Sequence, residues 1–187
     1  MGLREKGIGI KKIMSLRGVR QLADDVAILR FMEDIQIRQY KPEDKKAIKA
    51  LNKESIEEFG DSFRSKFPDL DEIENVYLED DGEFLVATKS GKIVGTGALK
   101  KISDQMAEVK RMRVSPDFQR QGIGEMILNE LEKRAQELGY QVLELDTSIN
   151  QPGAQAFYLK NGYVETKREG QEEGWPVETI FYQKKLG

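Results

Sequence analysis

Apolar and polar residues alternate with a two-residue period in short segments of this chain, which is typical of half-buried β-strands. Residues 35–40, Ile-Gln-Ile-Arg-Gln-Tyr, show the pattern plainly. Alternation or a short apolar run predicts strands at residues 35–40, 83–88, 92–99, 108–114, 141–147, 163–167 and 179–184. The Ser90-Gly91 pair between the second and third strands predicts a tight hairpin turn, because glycine readily adopts the positive φ that such turns need.

Between the strands, apolar residues recur with the period of an α-helix. Helices are predicted at residues 42–59, 123–138 and 152–160, with a less regular helical region at 70–77. Gly60, Gly139 and Gly162 stand where the three regular helices are expected to stop. The resulting order is β-α-α-β-β-β-α-β-α-β-β.

This order predicts a mixed α/β fold with a mostly antiparallel sheet. Strand 108–114, the helix after it and strand 141–147 form a right-handed crossover, which requires one parallel pair inside the antiparallel sheet. The domain is expected to span residues 35–187. Residues 1–34 are basic at first and then show a helical pattern over 16–32, so we expect a partly helical N-terminal extension.

Composition narrows the chemistry more than the fold. The chain contains no cysteine and no histidine, which excludes disulfides, thiolate metal sites and the commonest general base, and no metal site is expected. The longest apolar runs are a few residues, and the basic N-terminus lacks an apolar signal region, so a cytoplasmic protein without a membrane span is expected. No sustained basic stripe with aromatics is present, so nucleic-acid binding is not expected.

Strand 108–114 leads into the segment Gln119-Arg120-Gln121-Gly122-Ile123-Gly124, which opens directly into a helix. The first N–H groups of a helix have no partner within it, and the helix dipole favours an anion there. Gly122 and Gly124 lack Cβ atoms, so a phosphate can approach the main chain closely. The segment therefore predicts a ligand that carries phosphate.

These motifs give the chain a resemblance to the GNAT family of N-acetyltransferases over residues 35–187. The loop at 119–124 fits the family's (Gln/Arg)-x-x-Gly-x-(Gly/Ala) pattern, and residues 112–118 supply its usual context. The third part is Ala154-x-x-Phe157-Tyr158-x-x-x-Gly162-Tyr163, which resembles the family's late helix and the strand after it. A lone Gly-x-Gly is a weak signal, whereas three motifs in order are a strong one.

The resemblance implies a central sheet that splays between strands four and five, is flanked by helices and receives acetyl-CoA in the splay. It implies direct transfer of an acetyl group to a primary amine, without an acyl-enzyme. The implied cofactor-binding residues are Met112, Arg113, Val114, Gln119, Arg120, Gln121, Gly122, Ile123, Gly124, Asn150, Gln151 and Tyr158. The family often has asparagine at the position of Gln151, and here the asparagine is one residue earlier, at Asn150. Either side chain is therefore a candidate for the cofactor contact. Arg111, like Arg113 and Arg120, is a further candidate for the CoA phosphates.

The resemblance also implies catalytic roles. Tyr158 matches the family's general acid, which protonates the CoA sulfur, and the alternative is a packed aromatic ring with no such role. Glu108 and Asp146 compete as the general base, and for each the alternative is a solvated or ion-paired strand residue. A chain of water molecules is a third possibility for the base. Strand alternation places Glu108 on one face with Lys110, Met112 and Val114.

The acceptor is expected to be a small-molecule amine or a peptide amine, with a cation favoured. Residues 54–83 hold twelve acids against two bases, which would attract a cation, although a solvated acidic surface has the same composition. A non-catalytic acyl-CoA sensor of the same fold is the competing interpretation of the whole chain. The oligomeric state stays open, with a homodimer among the options.

Overall fold

The computed structural model describes residues 34–59, 67–170 and 177–187, and within 55–59 only the backbone. Several predictions therefore lie outside the described residues. They are the helix at 16–32, the stop at Gly60, and the acids Glu57, Glu58 and Asp61. The extent of the two predicted domains stays a prediction.

Seven strands and three α-helices make up the described part of the chain. In chain order they are β1 (Ile35–Gln39), α1 (Lys45–Phe59), β2 (Glu83–Lys89), β3 (Lys92–Ser103), β4 (Met106–Val114), α2 (Ile123–Glu137), β5 (Val142–Ser148), α3 (Pro152–Lys160), β6 (Val164–Glu169) and β7 (Thr179–Lys185). The predicted strands are all present. β3 and β4 are longer than predicted and meet in a second hairpin.

The strands form one sheet in the order β1-β2-β3-β4-β5-β7-β6. Every neighbouring pair is antiparallel except β4 and β5, which are parallel, as the crossover through α2 predicts. The mixed, mostly antiparallel sheet flanked by helices is therefore confirmed.

The parallel pair is short, and this creates an opening in the sheet. β4 and β5 are paired only over Met106, Ala107 and Glu108, although β4 continues to Val114. Beyond Glu108 the edge of β4 that faces β5 has no partner among the described strands. The sheet therefore opens between strands four and five, where the resemblance places the splay.

Helices α1 and α2 cover opposite faces of the sheet. Ile48 of α1 belongs with Phe84 and Ala98 to one buried core. On the other face, a Cβ placed on Gly95 or Gly97 of β3 would collide with Ile127 of α2. Glycine at these positions thus lets α2 pack closely on the strand.

The described residues between α1 and β2 are irregularly helical, as predicted. The chain forms a 3₁₀ turn at Pro68–Leu70 and a single π-helical turn at Glu74–Leu78. Leu70 and Tyr77, at the two ends of the predicted region, are buried. The two short turns place these side chains in the core without continuous α-helical hydrogen bonds.

A β-bulge interrupts β4. Thr96 of β3 lies opposite Arg113, and Gly97 lies opposite two β4 residues, Arg111 and Met112. Arg111 has a positive φ of 56°, a left-handed conformation that is uncommon for a residue with a side chain. The Thr96 hydroxyl donates to the Arg111 carbonyl at 2.8 Å, which braces the bulge from the neighbouring strand.

The bulge makes the predicted alternation along β4 wrong. Glu108 and Lys110 do share a face, because the Lys110 ammonium donates to the Glu108 carboxylate at 2.5 Å. Met112 and Val114 contact the α2 side instead, where the Met112 sulfur would be 2.7 Å from a Cβ on Gly97. One extra residue in the strand reverses the direction of every side chain after it.

Candidate functional site

A cavity of about 660 Å³ lies beside the unpaired edge of β4. Its walls come from the end of β4, the loop that precedes α2, the first turn of α2, and α3. Nine of the predicted site residues line it: Met112, Arg113, Val114, Gln119, Arg120, Gly122, Gly124, Gln151 and Tyr158. The fold thus brings together, in one concave surface, residues that are up to 46 positions apart in the sequence.

The loop before α2 turns its main chain twice through the left-handed region. Arg120 has a φ of 57° and Gly122, the N-cap residue of α2, a φ of 85°. The side-chain amide of Gln119 donates to the Val114 carbonyl at 3.3 Å, which ties the loop to the end of β4. The first N–H groups of α2 therefore open onto the cavity wall, where an anion is favoured.

Basic groups accompany this helix terminus. Arg113, Arg120 and Lys160 line the cavity, against one acid, Glu125. The Lys160 ammonium lies 3.0 Å from the Glu125 carboxylate, which links the end of α3 to the first turn of α2. The cavity therefore has net positive charge, which suits a ligand with several phosphates.

Arg111 does not share this role. Its guanidinium binds both carboxylate oxygens of Asp69, with an Nε–Oδ2 distance of 2.6 Å. It also lies over the ring of Phe67, 4.5 Å from the ring centre. Arg111 does not line the cavity, so a phosphate bound there would not meet its guanidinium.

Tyr158 is the buried aromatic residue of the cavity. Its ring packs against those of Phe157, Tyr163 and Tyr182, with centroids 5.2, 5.6 and 6.4 Å away. Burial raises the pKa of the Tyr158 hydroxyl to about 12, while the positive charge of Arg113 lowers it and the negative charge of Asp146 raises it. The hydroxyl is therefore protonated at neutral pH and can serve as a proton donor.

The two candidate bases lie outside the cavity wall. Glu108 is half-buried, forms the ion pair with Lys110, and is the last β4 residue that pairs with β5. Asp146 is half-buried, two residues beyond the last β5 residue that pairs with β4, and its charge acts on Tyr158. Both carboxylates are thus at the opening between the strands.

Three predicted cofactor contacts have other surroundings. Ile123 is buried in the core beneath α2. The side chain of Gln121 donates to the Asp117 carbonyl at 3.0 Å, and Asn150 is exposed. None of the three side chains lines the cavity, whereas Gln151 does and accepts a hydrogen bond from Thr147 at 2.9 Å.

Sequence reasoning also missed part of the wall. Gly153, Phe157 and Lys160 line the cavity from α3. They are spaced by four and then three residues, so they share one side of the helix. That spacing, applied to the helix that carries Tyr158, is the signal that could have found them.

The comparison with family models agrees with this geometry. The model of the acetyltransferase (GNAT) family matches residues 48–163, well over half of the chain. The chain belongs to the acetyltransferase (GNAT) family. Within the family, it is 35% identical over 107 residues to an IAA acetyltransferase of Azospirillum brasilense, which covers 57% of this chain and 69% of that protein.

Solved GNAT structures show the same fold. An acetyltransferase from Staphylococcus aureus Mu50 is 27% identical with a TM-score of 0.70, covering 82% of this chain and 99% of that one. YncA from Salmonella typhimurium, solved with its cofactor acetyl-CoA, has a TM-score of 0.71 at 17% identity and covers 82% and 95%.

The described part of the chain shows neither a metal site nor a membrane-spanning helix. Among the described side chains, those of residues 34–54, 67–170 and 177–187, no cluster of three or more acidic groups is arranged to hold a metal ion. In the same ranges, no helix has both the length and the apolar character needed to cross a bilayer.

Proposed function

We propose that this GNAT protein transfers an acetyl group from acetyl-CoA to a primary amine. The observation that carries the proposal is the cavity that joins the unpaired edge of β4, the N-terminus of α2 and the Tyr158 hydroxyl. The acetyl-CoA bound by YncA, a protein of the same fold, supports this donor. Acetyl-CoA supplies an activated acetyl group as a thioester.

The residues present fit such a ligand. At residues 112–114, β4 does not pair with β5, so the edge of the strand on that side can take up an extended chain, as a sheet edge takes up an added strand. The loop at 119–124 offers main-chain N–H groups to a pyrophosphate, with Arg120 beside them. A cavity of about 660 Å³ is large enough for a substantial part of the molecule.

Proton transfers are assigned to two sides of the opening. Tyr158 donates a proton to the departing sulfur from the cavity side, because its hydroxyl is protonated and buried there. An acceptor ammonium must lose a proton before it can attack. In this proposal Glu108 or Asp146 receives that proton, directly or through water.

The acceptor proposed is an amine that carries positive charge. The acidic stretch at 54–83 contributes less field than its composition suggests, since several of its described acids already have basic partners. The pairs are Asp69–Arg111, Asp71–Lys49, Glu74–Lys45, Asp81–Lys101 and Glu83–Arg134. At the opening itself, Asp146 and Glu108, which is ion-paired with Lys110, would then act at short range on the ammonium.

The function is tested by screening a panel of amines with acetyl-CoA and measuring the release of free CoA thiol. We expect amine-dependent thiol release with at least one primary amine and acetylated product of matching mass. Tight CoA binding without amine-dependent release would instead identify a non-catalytic acyl-CoA sensor. Absence of CoA binding would contradict both.

The charge of the acceptor is tested by ionic strength. We expect the KM of a di- or polycationic amine to rise between 0.1 and 1 M salt, because the Debye length falls from about 10 Å to about 3 Å. The KM of an uncharged amine is the control and should change little. An anionic amine as the best acceptor, or a KM for cations that does not respond to salt, would contradict the cationic class.

A further inference from the structure

The bulge in β4 decides which atoms of that strand face the cavity. Before the bulge, Lys110 shares the face of Glu108, and after it Met112 points to the α2 side and lines the cavity. A regular strand would send Met112 to the opposite face. The residue that turns the strand is Arg111, through its positive φ.

A left-handed main chain is unfavourable for arginine, because its Cβ crowds the following carbonyl. Glycine is the usual residue for such a position. Here the side chain of Arg111 is bound on the far face of the sheet, away from the cavity, by Asp69 and Phe67. Binding of the side chain thus compensates a strained main chain, an arrangement that clusters at functional sites.

Asp69 is itself held firmly. The Tyr77 hydroxyl donates to its Oδ2 at 2.6 Å, and both Asp69 and Arg111 have side chains that are more than four-fifths buried. Burial opposes ionisation of Asp69, but the hydrogen bonds from Arg111 and Tyr77 outweigh it and lower its pKa. The carboxylate therefore stays charged and keeps both of its oxygens engaged.

We propose that Asp69 and Arg111 are positioning residues: their ion pair holds the left-handed turn of β4 and so aims residues 112–114 at the cavity. Neither residue lines the cavity, so the pair acts through the main chain of β4. The proposal rests on the proposed function for its effect on turnover. Its structural part, the hold on the strand, does not depend on any activity.

The variants Asp69→Asn and Arg111→Ala test the pair, and Arg111→Gly separates the side chain from the main chain. Glycine removes the ion pair but adopts the left-handed conformation without strain. Asp71→Asn is the matched control, because Asp71 is on the same segment and pairs with Lys49 at the surface. Two measurements are made: hydrogen exchange of residues 109–114 in the ligand-free protein, and kcat and KM for acetyl-CoA.

We expect faster exchange of residues 109–114 in Asp69→Asn and Arg111→Ala but not in Asp71→Asn. We also expect kcat to fall about 10- to 100-fold in these two variants, since a small misplacement of a site costs that much. Arg111→Gly should retain a higher kcat than Arg111→Ala, although both lack the ion pair. A purely stabilising pair would lower thermal stability alike in both and leave kcat unchanged.

Unchanged exchange in Asp69→Asn overturns the proposal whatever the turnover shows. Faster exchange with unchanged kcat and KM also overturns it, because the hold on the strand would then not matter to the site. If the unaltered protein acetylates no amine, the proposed function fails, and the affinity for CoA of the same variants replaces kcat as the deciding measurement. Equal CoA affinity in all of them would then overturn the positioning role.

Discussion

Turnover should fall about 10²- to 10⁴-fold when Tyr158 is replaced by phenylalanine, the range typical of a lost general acid. Phenylalanine keeps the ring that packs against Phe157, Tyr163 and Tyr182, so the cavity should keep its shape. Only the proton donor is lost. The measurement is kcat for amine acetylation, together with the dissociation constant for CoA, which should change little.

Tyr182→Phe is the control for this variant. Tyr182 is buried in the same aromatic cluster, 6.4 Å from Tyr158 between ring centroids, but does not line the cavity. It should turn over substrate at nearly the rate of the unaltered protein. A Tyr158→Phe protein that is equally active would show that the sulfur leaves without this hydroxyl.

The pH dependence follows from the raised pKa. Because burial raises the pKa of Tyr158 to about 12, the hydroxyl keeps its proton throughout the neutral and mildly alkaline range. Ionisation of Tyr158 therefore cannot lower the rate below about pH 11. Any change of kcat/KM at lower pH should persist, with the same midpoint, in Tyr158→Phe.

The affinity for CoA should fall strongly in Gly122→Val. Gly122 has a φ of 85°, which costs a residue with a side chain roughly 1–2 kcal/mol, and it lines the cavity at the start of α2. Valine would both strain the loop and cover the main-chain N–H groups that face the cavity. The expected result is a large rise in the dissociation constant for CoA, measured by calorimetry.

Gly139→Val is the control that introduces the backbone strain of Gly122→Val without covering the N–H groups that face the cavity. Gly139 ends the same helix with a φ of 88° and has nothing near its Cβ position. The same substitution there should lower the stability of the protein but leave CoA affinity intact. If both variants lost affinity equally, or if Gly122→Val bound CoA normally, the loop at 119–124 would not be the pyrophosphate site.

Local pattern along the chain was enough to predict the seven strands, the parallel crossover through α2 and the loop that precedes it. One side of each strand or helix is buried, and the spacing of apolar residues a few positions apart shows which side it is. Glycines between such elements likewise indicate sharp turns and helix ends. Gly91, Gly139 and Gly162, each placed at a predicted turn or helix end, all have positive φ.

Residue types matched to the family motif likewise indicated most of the cavity wall, including Tyr158 and Gly122. Pattern failed where distant contacts outweigh local preference. Nothing near Arg111 in the sequence marks a left-handed residue, since its conformation is supported by Asp69, 42 positions earlier, and by Thr96 on the next strand.

The left-handed conformation of Arg111 decides which side chains of β4 line the cavity. Met112 lines the cavity and Arg111 does not, although a regular strand would have exchanged their faces. The charge of the acidic stretch is also partly neutralised by contacts that only the fold creates. Asp69, Asp71 and Glu74 meet their basic partners only after the chain folds. Period and composition are local properties of a chain, whereas a bulge and an ion pair depend on what the fold places opposite, and only the tertiary structure decides that.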